Sequence, residues 1–96
     1  MMFRKATMIV LALVGLAATA RADVAKGDAC ATHLSAVGKQ IYAAVVAANP
    51  TIQNLRDTVR SQARGMVMGG QISRDDAEAN AIPAGECVRI RLQPQL

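Results

Sequence analysis

From Cys30 onward the apolar residues fall at helical spacing. Leu34, Val37, Ile41, Ala44 and Ala48 follow Cys30 in steps of four and three, with Val45 beside them, so all lie on one stripe of an α-helix. Asp28 suits the N-cap, and Asn49-Pro50 marks the stop because a residue before proline avoids helical angles. The pattern predicts a first helix over about 28–48. Ile52, Leu55, Val59, Ala63 and Met66 repeat the spacing. Pro50 suits a first helical turn with Asn49 as cap, and Gly69-Gly70 supplies a left-handed ending, which predicts a second helix over about 50–68. So short a joint between two amphipathic helices implies an antiparallel hairpin, 28–68.

Ser73-Arg74-Asp75-Asp76 reads as a cap and first turn, with the acids at the positive end of the helix dipole. A third helix is expected over about 74–81, breaking or kinking near Pro83. Val88, Ile90 and Leu92 then alternate with Arg89 and Arg91, a strand pattern with no strand partner elsewhere in the chain. A last helical turn or an extended tail over 88–96 is the favoured reading; pairing with its copy in a dimer is the other. The fold class expected is all-α, a small bundle of three to four short helices.

The first 22 residues follow a different logic. Arg4 and Lys5 precede an apolar block, Ala6 to Ala18, and the small-residue site Ala20-Arg21-Ala22. That order is the pattern of a secretory signal peptide cleaved after Ala22, leaving one small domain, 23–96. Taken as far as residue 20, the apolar stretch is about 15 residues, short of the roughly 20 needed to span a bilayer. No transmembrane segment is expected after cleavage, and the mature chain is expected to be periplasmic or secreted.

Removing the leader changes the charge. Of eleven basic residues, Arg4, Lys5 and Arg21 leave with it, so eight remain against seven acids, a net charge of +1 rather than +4. Phe3 leaves too, so Tyr42 is the one aromatic ring. Neither a basic field nor a stacking platform for nucleic acid remains. Thirteen alanines in 23–96 call for close helix packing on small side chains. So thin a core makes a covalent staple valuable.

Cys30 and Cys87 are the two cysteines, and in an exported chain they are expected to form a disulfide. The competing reading makes Cys30, His33 and Cys87 three ligands of a metal site that would still need a fourth. His33 itself falls on the rim of the first helix's apolar stripe, where a packing role is the ordinary one. No metal or other cofactor is expected.

Two surface features have contact character. Arg56, Arg60 and Arg64 repeat every fourth residue and form one ridge along the second helix, a candidate site for an anionic ligand or partner, against the ordinary reading of a solvated face. Arg89 and Arg91 extend that surface if the tail folds back beside the second helix. Tyr42 and Val46 lie more than about 100° from the first helix's stripe. With Met68 they make a candidate apolar contact patch, unless the third helix covers them.

The order Cys30, Ile41-Tyr42, Leu55-Arg56, Val67-Met68-Gly69-Gly70-Gln71-Ile72-Ser73-Arg74 and Gly85-Glu86-Cys87 resembles a group of short exported bacterial proteins of unknown function. The resemblance covers most of the mature chain. It implies helices and two cysteines but no activity, so no functional residue is carried over. Periplasmic acid chaperones share the small, helical, single-disulfide architecture and no motif beyond it. The leading functional expectation is a non-enzymatic binding or protein-interaction module acting on an envelope protein or an anionic ligand, with a homodimer as one form. The alternatives are an envelope stress protein masking apolar client surface and, behind it, a Cys/His metal or redox protein.

Overall fold

The structure, a computed structural model, describes residues 22–93. The expected leader lies outside the described residues except for Ala22, as does the end of the expected tail, 94–96. Four α-helices follow in order: α1 (Ala22–Ala31), α2 (Ala36–Ala47), α3 (Leu55–Met68) and α4 (Arg74–Leu92). Among the described residues there is no strand, and the fold is an all-α bundle. Helix α4 packs against each of the other three, and the deepest side chains are Ile41 and Val45 of α2 with Cys87 and Val88 of α4. The disulfide Cys30–Cys87 joins α1 to the C-terminal half of α4 across a Cα–Cα distance of 5.4 Å.

The helix expected over 28–48 is in fact two. Helix α1 ends in a tight turn in which the amides of His33 and Leu34 donate to the carbonyls three residues back, Cys30 and Ala31. Ser35 then starts α2: its hydroxyl accepts from the amide of Gly38 at 3.0 Å and donates to Asn80 Oδ1 of α4 at 2.6 Å. Leu34 and Val37 stand on either side of this break and both stay half-buried, so the apolar rhythm runs unbroken through a turn.

The second helix starts later than expected, at Leu55 rather than Pro50. Asn49 does not cap it; with φ of 54° it adopts the left-handed conformation that ends α2. The intervening turn is closed reciprocally, Thr51 N donating to Asn54 Oδ1 at 2.8 Å and Asn54 N to Thr51 Oγ1 at 3.3 Å. Ile52 therefore sits in the turn instead of on the core stripe. The end of α3 is as expected: Gly70 has φ of +76°, Gly70 N donates to Val67 O, and Gln71 N donates to Met66 O, the paired bonds of a Schellman ending.

Helix α4 begins at the Ser73 cap, where the hydroxyl accepts from Asp76 N at 3.1 Å. It does not break at Pro83 but continues to Leu92, so residues 88–92 are helical rather than extended. The proline forfeits one hydrogen bond and crowds the preceding turn. Its ring is exposed, while Ala77, Ala84, Cys87 and Val88 anchor the helix on both sides of it. The alternation that imitates a strand arises because α4 is surrounded. Val88 is buried and Ile90 and Leu92 are half-buried on a helix with three neighbours.

Candidate functional site

Arg56, Arg60 and Arg64 stand exposed on α3 as the expected ridge, and they border an open groove of about 1250 Å³ between α3 and α4. Helices α1 and α2 contribute nothing to its lining. The floor is built from the buried faces of the two helices, chiefly Leu55, Val59, Ala63 and Ala77. Gly85 lies opposite Val59 in that floor: a Cβ built on it would stand 3.4 Å from Val59 Cγ2, an ordinary van der Waals contact.

The rim is unusual in its apolar content. The exposed large hydrophobic residues among those described are Ile52, Met68 and Ile82, at 46, 80 and 74 % exposure, and all three line this one groove. Charge is mixed with a basic excess. Five arginines (56, 60, 64, 74 and 89) face three acids, Asp57, Glu78 and Glu86. None of these is ion-paired; among the described residues the one ion pair is Arg91–Asp28. Helix α4 does return beside α3, so Arg89 extends the basic surface as the sequence allowed, whereas Arg91 turns to the opposite side of the molecule.

The apolar patch expected from Tyr42, Val46 and Met68 does not assemble as one surface. Tyr42 is buried and Val46 half-buried in the core cluster, while Met68 stands alone at the end of α3. Tyr42 is covered on the side of α1 and α4: its hydroxyl donates to Asp28 Oδ1 at 2.8 Å, and Arg91 Nη1 donates to the same oxygen at 2.8 Å. Burial first, and then the bond to Asp28, raises the Tyr42 hydroxyl above the ordinary tyrosine pKa.

His33 lies in the exposed turn between α1 and α2 and not on the rim of a helical stripe. With both sulfurs bonded to each other, Cys30 and Cys87 are not available beside it as thiolate ligands.

What sequence reasoning missed is the second wall. Arg74, Glu78, Ile82 and Glu86 repeat every fourth residue, as do Ile52, Arg56, Arg60, Arg64 and Met68 on the facing side. Ending the third helix before Pro83 hid the first series, and placing Ile52 in the core hid the apolar start of the second. No protein-family model, no curated protein and no solved structure matches the chain.

Proposed function

We propose that this protein is a small exported, non-enzymatic interaction module that docks a polypeptide in the groove between α3 and α4. One observation carries the reading. The three large apolar side chains left in water among the described residues, Ile52, Met68 and Ile82, all line a single groove bordered by arginines that make no ion pair among those residues. Each such side chain would gain on the order of 1.5–3 kcal/mol from full burial. Their alignment along one groove marks a contact surface, where side chains scattered over several faces would need no explanation. The arginines add orientation, since guanidinium donors are matched to carboxylates at a desolvating rim. Export is supported by the leader pattern of residues 1–22 and by a disulfide of the kind that persists in oxidising compartments.

A photo-reactive amino acid placed at position 82, in cells expressing the full chain, is expected to yield polypeptide adducts. The same probe at position 39, an exposed site on α2 outside the groove, is expected to yield few. Adding Met68→Glu should abolish the adducts at position 82. Equal labelling at 82 and 39 would overturn the reading.

A further inference from the structure

We infer that the occupant of this groove is the same groove of a second copy of the chain, the two α3–α4 hairpins closing into an antiparallel four-helix bundle. The inference rests on the docking reading above and names its partner.

The argument starts from register. Helices α3 and α4 run antiparallel, and Val59 opposite Gly85 fixes their relative height. Within roughly a helical half-turn, this sets Arg64 level with Glu78, Arg60 with Ile82, and Arg56 with Glu86. None of these arginines or glutamates has an ion-pair partner among the described residues. The monomer thus carries an arginine ridge on α3 and, at matching heights on α4, two glutamates on either side of an isoleucine, bounded by Arg74 and Arg89.

Only one two-fold arrangement of two such hairpins uses both rows of side chains. With the axis along the groove and parallel to the helices, α3 of one copy lies on α4 of the other, antiparallel and at unchanged height. Arg64 then meets the partner's Glu78, Arg56 meets the partner's Glu86, and the alkyl stem of Arg60 crosses the partner's Ile82. Each contact occurs twice. With the axis perpendicular to the helices, the two arginine ridges would face each other, and like charge opposes that packing. The exposed Met68 and Ile82 of both copies are buried in the permitted arrangement, which accounts for their standing in water in the monomer.

The face is small. Two helix widths by the length of α3 give a patch on the order of 20 by 20 Å. That is the scale of a weak interface, so dissociation in the micromolar range is expected.

The test is sedimentation equilibrium of the protein isolated from cells expressing the full chain, with two charge reversals. Wild type is expected to show a concentration-dependent monomer–dimer equilibrium. Arg56→Glu with Arg64→Glu, and separately Glu78→Arg with Glu86→Arg, should each weaken self-association by on the order of a hundredfold, because four attractive contacts become repulsive. An equimolar mixture of the two should recover wild-type association, since each variant then faces opposite charge. Far-UV circular dichroism verifies that both are helical. Ile82→Arg, at a side chain 74 % exposed in the monomer, sets a like charge against the partner's Arg60 and should abolish the dimer without disturbing the fold.

A wild type that stays monomeric up to about a millimolar would overturn the inference. So would a dimer that survives Ile82→Arg, or folded charge variants that fail to pair when mixed. Monomeric wild type with adducts to another protein at position 82 removes self-pairing and leaves the docking reading standing; monomeric wild type without groove-specific adducts removes both.

Discussion

The hydroxyl of Tyr42 donates to Asp28 across 2.8 Å, and in doing so ties α2 to α1 where few other contacts join them. Arg91 of α4 donates to the same carboxylate oxygen, so a single acid gathers three helices. Asp28 is more than half exposed and would keep water and Arg91 if the hydroxyl were lost. Removing that bond is therefore worth about 1 kcal/mol rather than the full cost of a stranded buried charge. Tyr42→Phe is expected to lower the melting temperature by about 4–8 °C. An unchanged melting temperature would mean that the hydroxyl only occupies space.

The same bond has a pH signature. Because burial and then Asp28 raise the Tyr42 pKa in the folded state, the unfolded chain loses its tyrosine proton first. Below about pH 10 the hydroxyl is protonated in both states and its contribution is complete. As pH climbs past that value the unfolded state is stabilised by ionising while the folded state resists. Stability should fall with rising pH on the alkaline side. Denaturant melts from pH 8 to 11 should show a steeper loss for wild type than for Tyr42→Phe. Parallel slopes would place the Tyr42 proton outside the folding equilibrium.

Next to Asp28 in α1, Gly27 makes the α1–α4 approach possible. A Cβ built there would overlap the Cβ of Arg91 and stand 2.9 Å from its Cα, which is backbone and has little room to yield. In an unconstrained helix, alanine in place of glycine stabilises by up to about 1 kcal/mol. Here the overlap should reverse the sign, and Gly27→Ala is expected to destabilise by roughly 1–3 kcal/mol. Chemical denaturation of the oxidised protein measures the difference, and a gain in stability would show that α1 and α4 are not so closely pressed.

The sequence made the helical class, the Ser73 cap and the Gly70 ending legible because each depends on local spacing or on a residue with one strong conformational preference, and the Cys30–Cys87 pairing because the chain holds two cysteines behind a leader pattern. The break at Thr32–Ser35 was hidden for a physical reason. The residues on both sides of it satisfy a helical period, and Ser35 becomes a cap through Gly38 and Asn80, one of them 45 residues away. Pro83 misled in the opposite direction, since its local penalty is overridden by packing on both flanks. The arginine ridge was visible at once. Its apolar start at Ile52 and the facing Glu78, Ile82 and Glu86 on α4 were not, because they depend on how far α4 continues and where α3 begins.

Closing a loop across a sequence separation of 57 residues should make the Cys30–Cys87 disulfide a large part of the folding free energy. The chain-entropy argument gives about 4 kcal/mol, comparable to the whole stability of many small domains. Reduction, or replacing both cysteines with serine, is expected to shift the denaturant midpoint strongly downward and to leave the chain largely unfolded at 37 °C. A loss below about 1 kcal/mol would imply that α1 is held to α4 by packing alone.

Pro83 offers the converse experiment, a substitution expected to strengthen the fold. It sits inside α4 with its ring exposed, and the carbonyl of Ala79 has no amide to accept from one turn on. Alanine restores that donor and removes the crowding, a gain of up to about 3 kcal/mol in a helix interior. Part is returned, because the freer unfolded chain recovers on the order of 0.4–1 kcal/mol of conformational entropy. The net expectation for Pro83→Ala is a stabilisation of about 1–2 kcal/mol, read as a higher melting temperature in the oxidised protein. The sign is informative because Pro83 lies one turn before Cys87. If α4 needs the proline's bend to bring Cys87 to Cys30, straightening it would strain the disulfide and the melting temperature would fall. A rise fits a helix held in place by its buried flanks, with the proline a tolerated defect on its wet side.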